Sequence, residues 1–121
     1  MLNQVVMVGR LASDPTLKEL EDGKKVSNIT LAVPRTYKNA EGEYDTDFVD
    51  CSLWNLIASN AAEFCQKGDL VGIKGRIQTD NYEVDGETRK RMSVVAEKVT
   101  FLSSKKQEVE QIKEQNEDLE V

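Results

Sequence analysis

From Thr46 to Trp54 the chain reads TDFVDCSLW, and this run restricts the fold more than any other. Strand side chains alternate between the two faces of a sheet. As a strand, the run places Val49, Cys51 and Leu53 on one face and Phe48, Asp50, Ser52 and Trp54 on the other. One face belongs in a core. The other mixes groups that want water with two of the largest aromatic side chains, so the sheet must present aromatics outward.

The rest of the chain surrounds this run with further strand signals. NQVVMVGRL is rich in β-formers and carries Gly9 inside it, which marks a bulge or a close approach of two backbones. VSNITLAV alternates Ile29, Leu31 and Val33 inward with Asn28, Thr30 and Ala32 outward, and Pro34 breaks or edges that strand. Asp14-Pro15 and Asp22-Gly23 read as turns, and KNAEGEYD reads as a hairpin loop around Gly42. DLVGIKGRIQTDNYEV is a long strand interrupted by Gly72 and Gly75, with Asp85-Gly86 as a tight hairpin turn and RMSVVAEKVTFL as the returning last strand. SNAAEFCQKG is the one helix candidate, capped by Ser59 or Asn60, with Ala61, Phe64 and Cys65 as its apolar stripe and Gly68 just past its end. One short helix between the third and fourth long strands, with glycines where strands must coil, points to a small closed barrel of the OB type. An open β-sandwich is the competing arrangement.

A chain of 121 residues suits one domain. We place it at 1–104, with 105–121 as a tail. No run approaches the roughly 18 to 20 apolar residues of a membrane span, and the first residues do not have the layout of a signal peptide. The expectation is a cytoplasmic protein. The sequence contains no histidine, and Cys51 and Cys65 are too far apart for a CxxC motif, so they read as buried thiols. No phosphate-binding glycine loop, nucleophile elbow or EF-hand spacing occurs. Asp45 and Asp47 read as solvated loop charges, and an enzyme built on the carboxylates has no constellation to support it. No cofactor or metal is expected.

The net charge of −6 argues against a protein that holds nucleic acid by bulk electrostatics. Residues 1–104 carry 13 Lys/Arg against 16 Asp/Glu, and the tail carries 3 against 6, so the folded part is only mildly acidic. What matters is then the local pattern. Tyr37 ends the second long strand, and Tyr82 shares parity with Lys74, Arg76 and Gln78, opposite Val71, Ile73 and Ile77. Unstacked bases lie on aromatic rings while nearby cations follow the phosphates, and this pattern supplies both. Three alternatives use the same residues: a second core, a glycan site, or an OB-type module whose aromatics bury against a protein partner. A glycan site gives no reason for the cations.

VGRLASDP, NITLAVPRTY, TDFVDCSLW, KGDLVGIKGRIQTDNYE and VVAEKVTFL follow in order and spacing the pattern of bacterial single-stranded DNA-binding proteins, which residues 1–103 resemble. The resemblance implies a five-stranded Greek-key OB barrel that assembles as a homotetramer, with its N-terminal strand in the dimer interface, has no catalytic activity and wraps single-stranded DNA (ssDNA). It implies stacking on Tyr37, Phe48, Trp54 and Tyr82, with Arg35, Lys67, Lys74 and Arg76 as the accompanying cations. The roles implied are the protection of ssDNA in replication, recombination, repair or DNA uptake, at the nucleoid. Two departures stand out. Many members carry basic residues where this chain has Asn55-Leu56 and Asp80. The usual acidic tip with a proline and a terminal aromatic, which recruits replication and repair proteins, is here NEDLEV. The tail resembles those of accessory, phage or DNA-uptake versions, and we expect it to be disordered or marginally helical and to recruit partners weakly.

Overall fold

The structure, a computed structural model, describes residues 1–104; the predicted tail lies outside the described residues. In chain order the elements are β1 (Val5–Leu11), β2 (Lys18–Glu19), β3 (Lys25–Lys38), β4 (Tyr44–Trp54), α1 (Asn55–Phe64), β5 (Leu70–Val84) and β6 (Glu87–Ser103). β1 pairs antiparallel with β5 on one side and with the middle of β3 on the other. β5 pairs with β6, β6 runs parallel to β4 through Cys51–Val94 and Ser52–Val95, and β4 pairs back onto β3. The ring β1-β5-β6-β4-β3 therefore closes. This is the barrel expected, not the open sandwich. Only β2, a two-residue edge on β3, has no counterpart in the reading of the sequence.

The alternation seen in the sequence sorts the two faces. Ile29, Leu31, Cys51, Leu53, Val71 and Ile73 fill the interior with Val94 and Ala96, and Ala58 and Ala61 of α1 pack against them. The helix closes one end of the core through Ala58 and Ala61, whereas Phe64 of the predicted stripe is 68% exposed and Cys65, read as a buried thiol, is only partly buried, because the helix is turned so that its alanines face the sheet. Gly9 is a close approach: a Cβ there would stand 2.5 Å from the Ala32 carbonyl oxygen. Gly75 meets the Val95 carbonyl in the same way, beside a register shift in the β5–β6 ladder. A side chain at either position would force the neighbouring strand away.

Two expectations need correction. The helix begins at Asn55, ahead of the predicted Ser59 or Asn60, with extended Trp54 as its N-cap and no side-chain capping hydrogen bond. Asn55 holds a left-handed φ of 53°, which asparagine tolerates better than most residues, and its Oδ1 accepts the Lys25 N–H at 3.3 Å. That contact and the backbone turn start the helix. Cys65 ends it, donating its N–H to Ala61, and Gly68 serves the following turn, donating to the Leu11 carbonyl at 2.8 Å. The second correction is Ile77, read as inward with Val71 and Ile73. It is 41% exposed where they are buried. The last β1–β5 pair is Val5–Gly75, so Ile77 lies past the end of β1 although its partner Val94 still closes the barrel against Cys51, and from Gln78 and Ser93 outward β5 and β6 continue as a hairpin arm. The arm turns at Asp85 and Gly86, both at positive φ, as a two-residue type I′ hairpin requires. Among the described residues no helix is long and apolar enough to cross a membrane.

Candidate nucleic-acid interface

The outer face of β4 presents its aromatics as the alternation predicts. Phe48 is 67% exposed and Trp54 36%. The Trp54 indole N–H donates to Ser52 Oγ at 3.3 Å, which fixes the orientation of the ring along the strand. Beside Trp54 lies an open groove of about 340 Å³ lined by Asn28 and Thr30 of β3, Asp50 and Ser52 of β4, Gln78 and Asp80 of β5, and Arg91 and Ser93 of β6. Thr30 Oγ1 donates to Asp50 at 3.2 Å, Gln78 Nε2 donates to Asp80 at 3.3 Å, and the Arg91 guanidinium stands 3.5 Å from Asp50 Oδ2. The floor is polar and the rim aromatic.

Two neighbouring hollows share residues with this groove. One is bordered by Asp50, Asp80, Tyr82 and Arg91, which joins Tyr82 to the Trp54 surface. The other, about 470 Å³, sets Phe48 against Val5, Met7, Ile77 and Met92, with Asp50 again on its edge. Asp50 therefore borders all three. The structure brings Tyr82 of β5 onto one continuous surface with Phe48 and Trp54 of β4.

Tyr37 stands apart, near the end of β3 and in none of these three hollows. The Arg35 guanidinium lies 6.0 Å from its ring centroid. Arg35 donates to the Asp47 carboxylate at 2.9 to 3.2 Å and pairs with Asp45 at 3.8 Å. That hydrogen bond raises the guanidinium pKa and holds the Asp47 carboxyl below its ordinary value. Arg35 thus already serves two carboxylates, and Asp45 and Asp47 are more than free loop charges. Lys74 lies opposite Val6 of β1 and Lys98 of β6, and Arg76 opposite Val95; both are exposed but border none of the three hollows. Lys67 follows the helix, where its backbone N–H donates to Asp14 at 2.7 Å.

Sequence reasoning missed two residues. Arg91 is the cation closest to the Trp54 groove in composition, since it lines both that groove and the Tyr82 hollow. Its place depends on the parallel β4–β6 seam, which no local pattern announces. Tyr44 is an additional exposed aromatic, with Lys38 Nζ 5.9 Å from its ring centroid, and it shares the parity of Phe48 and Trp54. Among the described residues no cluster of His, Cys, Asp and Glu could hold a metal ion.

Independently of this surface, the whole chain can be set beside known proteins. A family model described as the single-strand binding protein family matches residues 2–102. The chain is 48% identical over 109 residues to single-stranded DNA-binding protein B of Bacillus subtilis, covering 89% of this chain and 96% of that protein. It is 48% identical over 106 residues to single-stranded DNA-binding protein 3 of Listeria innocua, and 50% over 103 residues to that organism's single-stranded DNA-binding protein 2. Those matches cover 87% and 84% of this chain, and 66% and 65% of the relatives' own length.

Proposed function

This chain belongs to the single-strand binding protein family, and we propose that it binds ssDNA without regard to sequence by stacking bases on the outer face of its barrel. The observation that carries this reading is the continuous surface on which Phe48, Trp54 and Tyr82 stand exposed around Asp50. Membership brings a binding role, not a catalytic one. Tyr37, with Arg35 beside it, extends the stacking path along the β3–β4 hairpin, and Lys67, Lys74 and Arg76 provide outlying contacts to phosphate. The protein protects ssDNA in the cytoplasm, at the nucleoid, during replication, recombination, repair or DNA uptake. It assembles as a homotetramer. The support for an interface on β1 is that Val6 and Val8, on its outer side, are 71% and 52% exposed, an apolar pair that water does not favour. Recruitment of replication and repair proteins through the tail is weak.

Titration with oligo-dT, followed by quenching of Trp54 fluorescence, tests the central reading. Trp54→Ala and Phe48→Ala should each weaken binding by roughly 1 to 3 kcal/mol, the worth of one base–aromatic stack, with binding of the tryptophan-less variant followed by filter retention. Because both rings are exposed, thermal stability should move little. Two variants that unfold, while their remaining folded fraction binds normally, would make the aromatics core residues and sink the stacking surface.

A further inference from the structure

Arg91 and Asp50 face each other at 3.5 Å on the floor of the Trp54 groove, and both side chains are more than half exposed. Resting on the stacking reading above, we infer that Arg91 is the phosphate contact for the base stacked at Trp54, and that Asp50 is an internal competitor which holds Arg91 until the phosphodiester takes its place.

The argument begins with charge. The groove and the adjoining Tyr82 hollow share two carboxylates, Asp50 and Asp80, and one cation, Arg91. A phosphate entering there meets net negative charge unless Arg91 turns to it. Arg91 is able to turn, because its ion pair is with a single exposed carboxylate, whereas Arg35 is held by two. Asp50 is the more fixed member: its Oδ1 accepts from Thr30 Oγ1 at 3.2 Å, so the carboxylate stays when the arginine leaves. Asp80 differs from Asp50 in that its oxygens accept from Gln78.

The exchange leaves a thermodynamic mark. A phosphate neutralised by a free cation releases about 0.7 of a counterion from single-stranded DNA. If the arginine abandons a carboxylate to do so, that carboxylate collects a cation from solution and part of the release is cancelled. Asp50 thereby lowers both the affinity and the salt dependence of this one contact.

The test uses the full chain with a dT oligomer across a salt series, in wild type, Asp50→Asn, Arg91→Gln and the double variant. Asparagine keeps the oxygen that accepts from Thr30, so Asp50→Asn should fold as wild type does. It should bind about two- to fivefold more tightly at low salt, the range an exposed ion pair commands, with a log–log salt plot steeper by up to about 0.7. Arg91→Gln alone should weaken binding, and in the Asp50→Asn background it should cut the gain down to that of Asp80→Asn. Asp80→Asn is the control for general charge, and its smaller gain should persist when Arg91 is replaced. The exchange is overturned if Asp50→Asn leaves affinity and slope unchanged, or if its gain over that of Asp80→Asn survives the loss of Arg91. Failure of the stacking reading itself has a separate signature, the absence of binding in every variant including wild type.

Discussion

Cys51 joins the buried and the exposed faces of β4 in one titration. Its thiol is in the core while Asp50, the next residue, points into the groove, and burial first, with the Asp50 charge second, pushes the thiol pKa up to about 11. In the unfolded chain the same group ionises near its ordinary value of 9.0. Below pH 9 both states keep the proton and this group adds no pH dependence. Between 9 and about 11 the unfolded chain loses the proton first, so stability falls as pH rises. Cys65 is also shifted upward, by burial and by the Asp69 charge. The informative quantity is therefore a difference. Denaturant unfolding of wild type and Cys51→Ala from pH 8 to 11 should give a shallower decline for the variant, which has lost the group. Equal slopes would mean that the native thiol ionises as readily as the unfolded one.

Among the elements, α1 shows best what the sequence conceals. Its entry is not a capping side chain but Asn55 at φ 53°, with its amide oxygen taking the Lys25 N–H of β3. Asn55→Ala removes that hydrogen bond and places a residue poorly suited to positive φ at the turn, so it should cost about 1 to 2 kcal/mol. Asn55→Gly should cost less, because glycine accepts the backbone conformation. Chemical denaturation of the two variants decides this, and an alanine variant as stable as the glycine one would contradict it. The capping residue was misplaced from the sequence because Ser59 and Asn60 have the right chemistry, while a left-handed residue directly after a strand gives no periodic signal. The exposed aromatics of β4 were legible for the opposite reason. Val49, Cys51 and Leu53 turn one face of that strand to the core, so parity decides the environment of the side chains between and beside them. Ile77 follows the same rule on β5 until the strand passes the end of β1, and the sequence does not record where that happens. Arg91 was illegible because its neighbour Asp50 is brought to it by pairing between strands separated by the helix and the whole of β5.

At the scale of the molecule, the net charge of −6 leaves a protein that cannot attract nucleic acid as a whole and must do so through its local surfaces, repeated in an assembly. If β1 forms the contact between copies, Val6→Lys and Val8→Lys, made together, should lower the mass of the assembly in light scattering while leaving the circular dichroism of the barrel intact. Both side chains point away from the core, so no interior contact is lost. A double variant with the wild-type mass would place the interface elsewhere. The ring itself is closed by unequal seams. β5 and β6 pair along almost their full length, but β4 and β6 meet in two register pairs, Cys51–Val94 and Ser52–Val95, as β1 and β3 do through Arg10–Ala32 and Leu11–Leu31. A short seam is where local opening takes the least free energy, and it joins residues distant in sequence, which makes it slow to re-form relative to hairpin pairing. Trp54 lies two residues beyond Ser52, and Arg91 three before Val94. Breathing of the barrel at the β4–β6 seam would thus carry the ring and the guanidinium apart, making one of the two short joints of the fold the jaw of the groove.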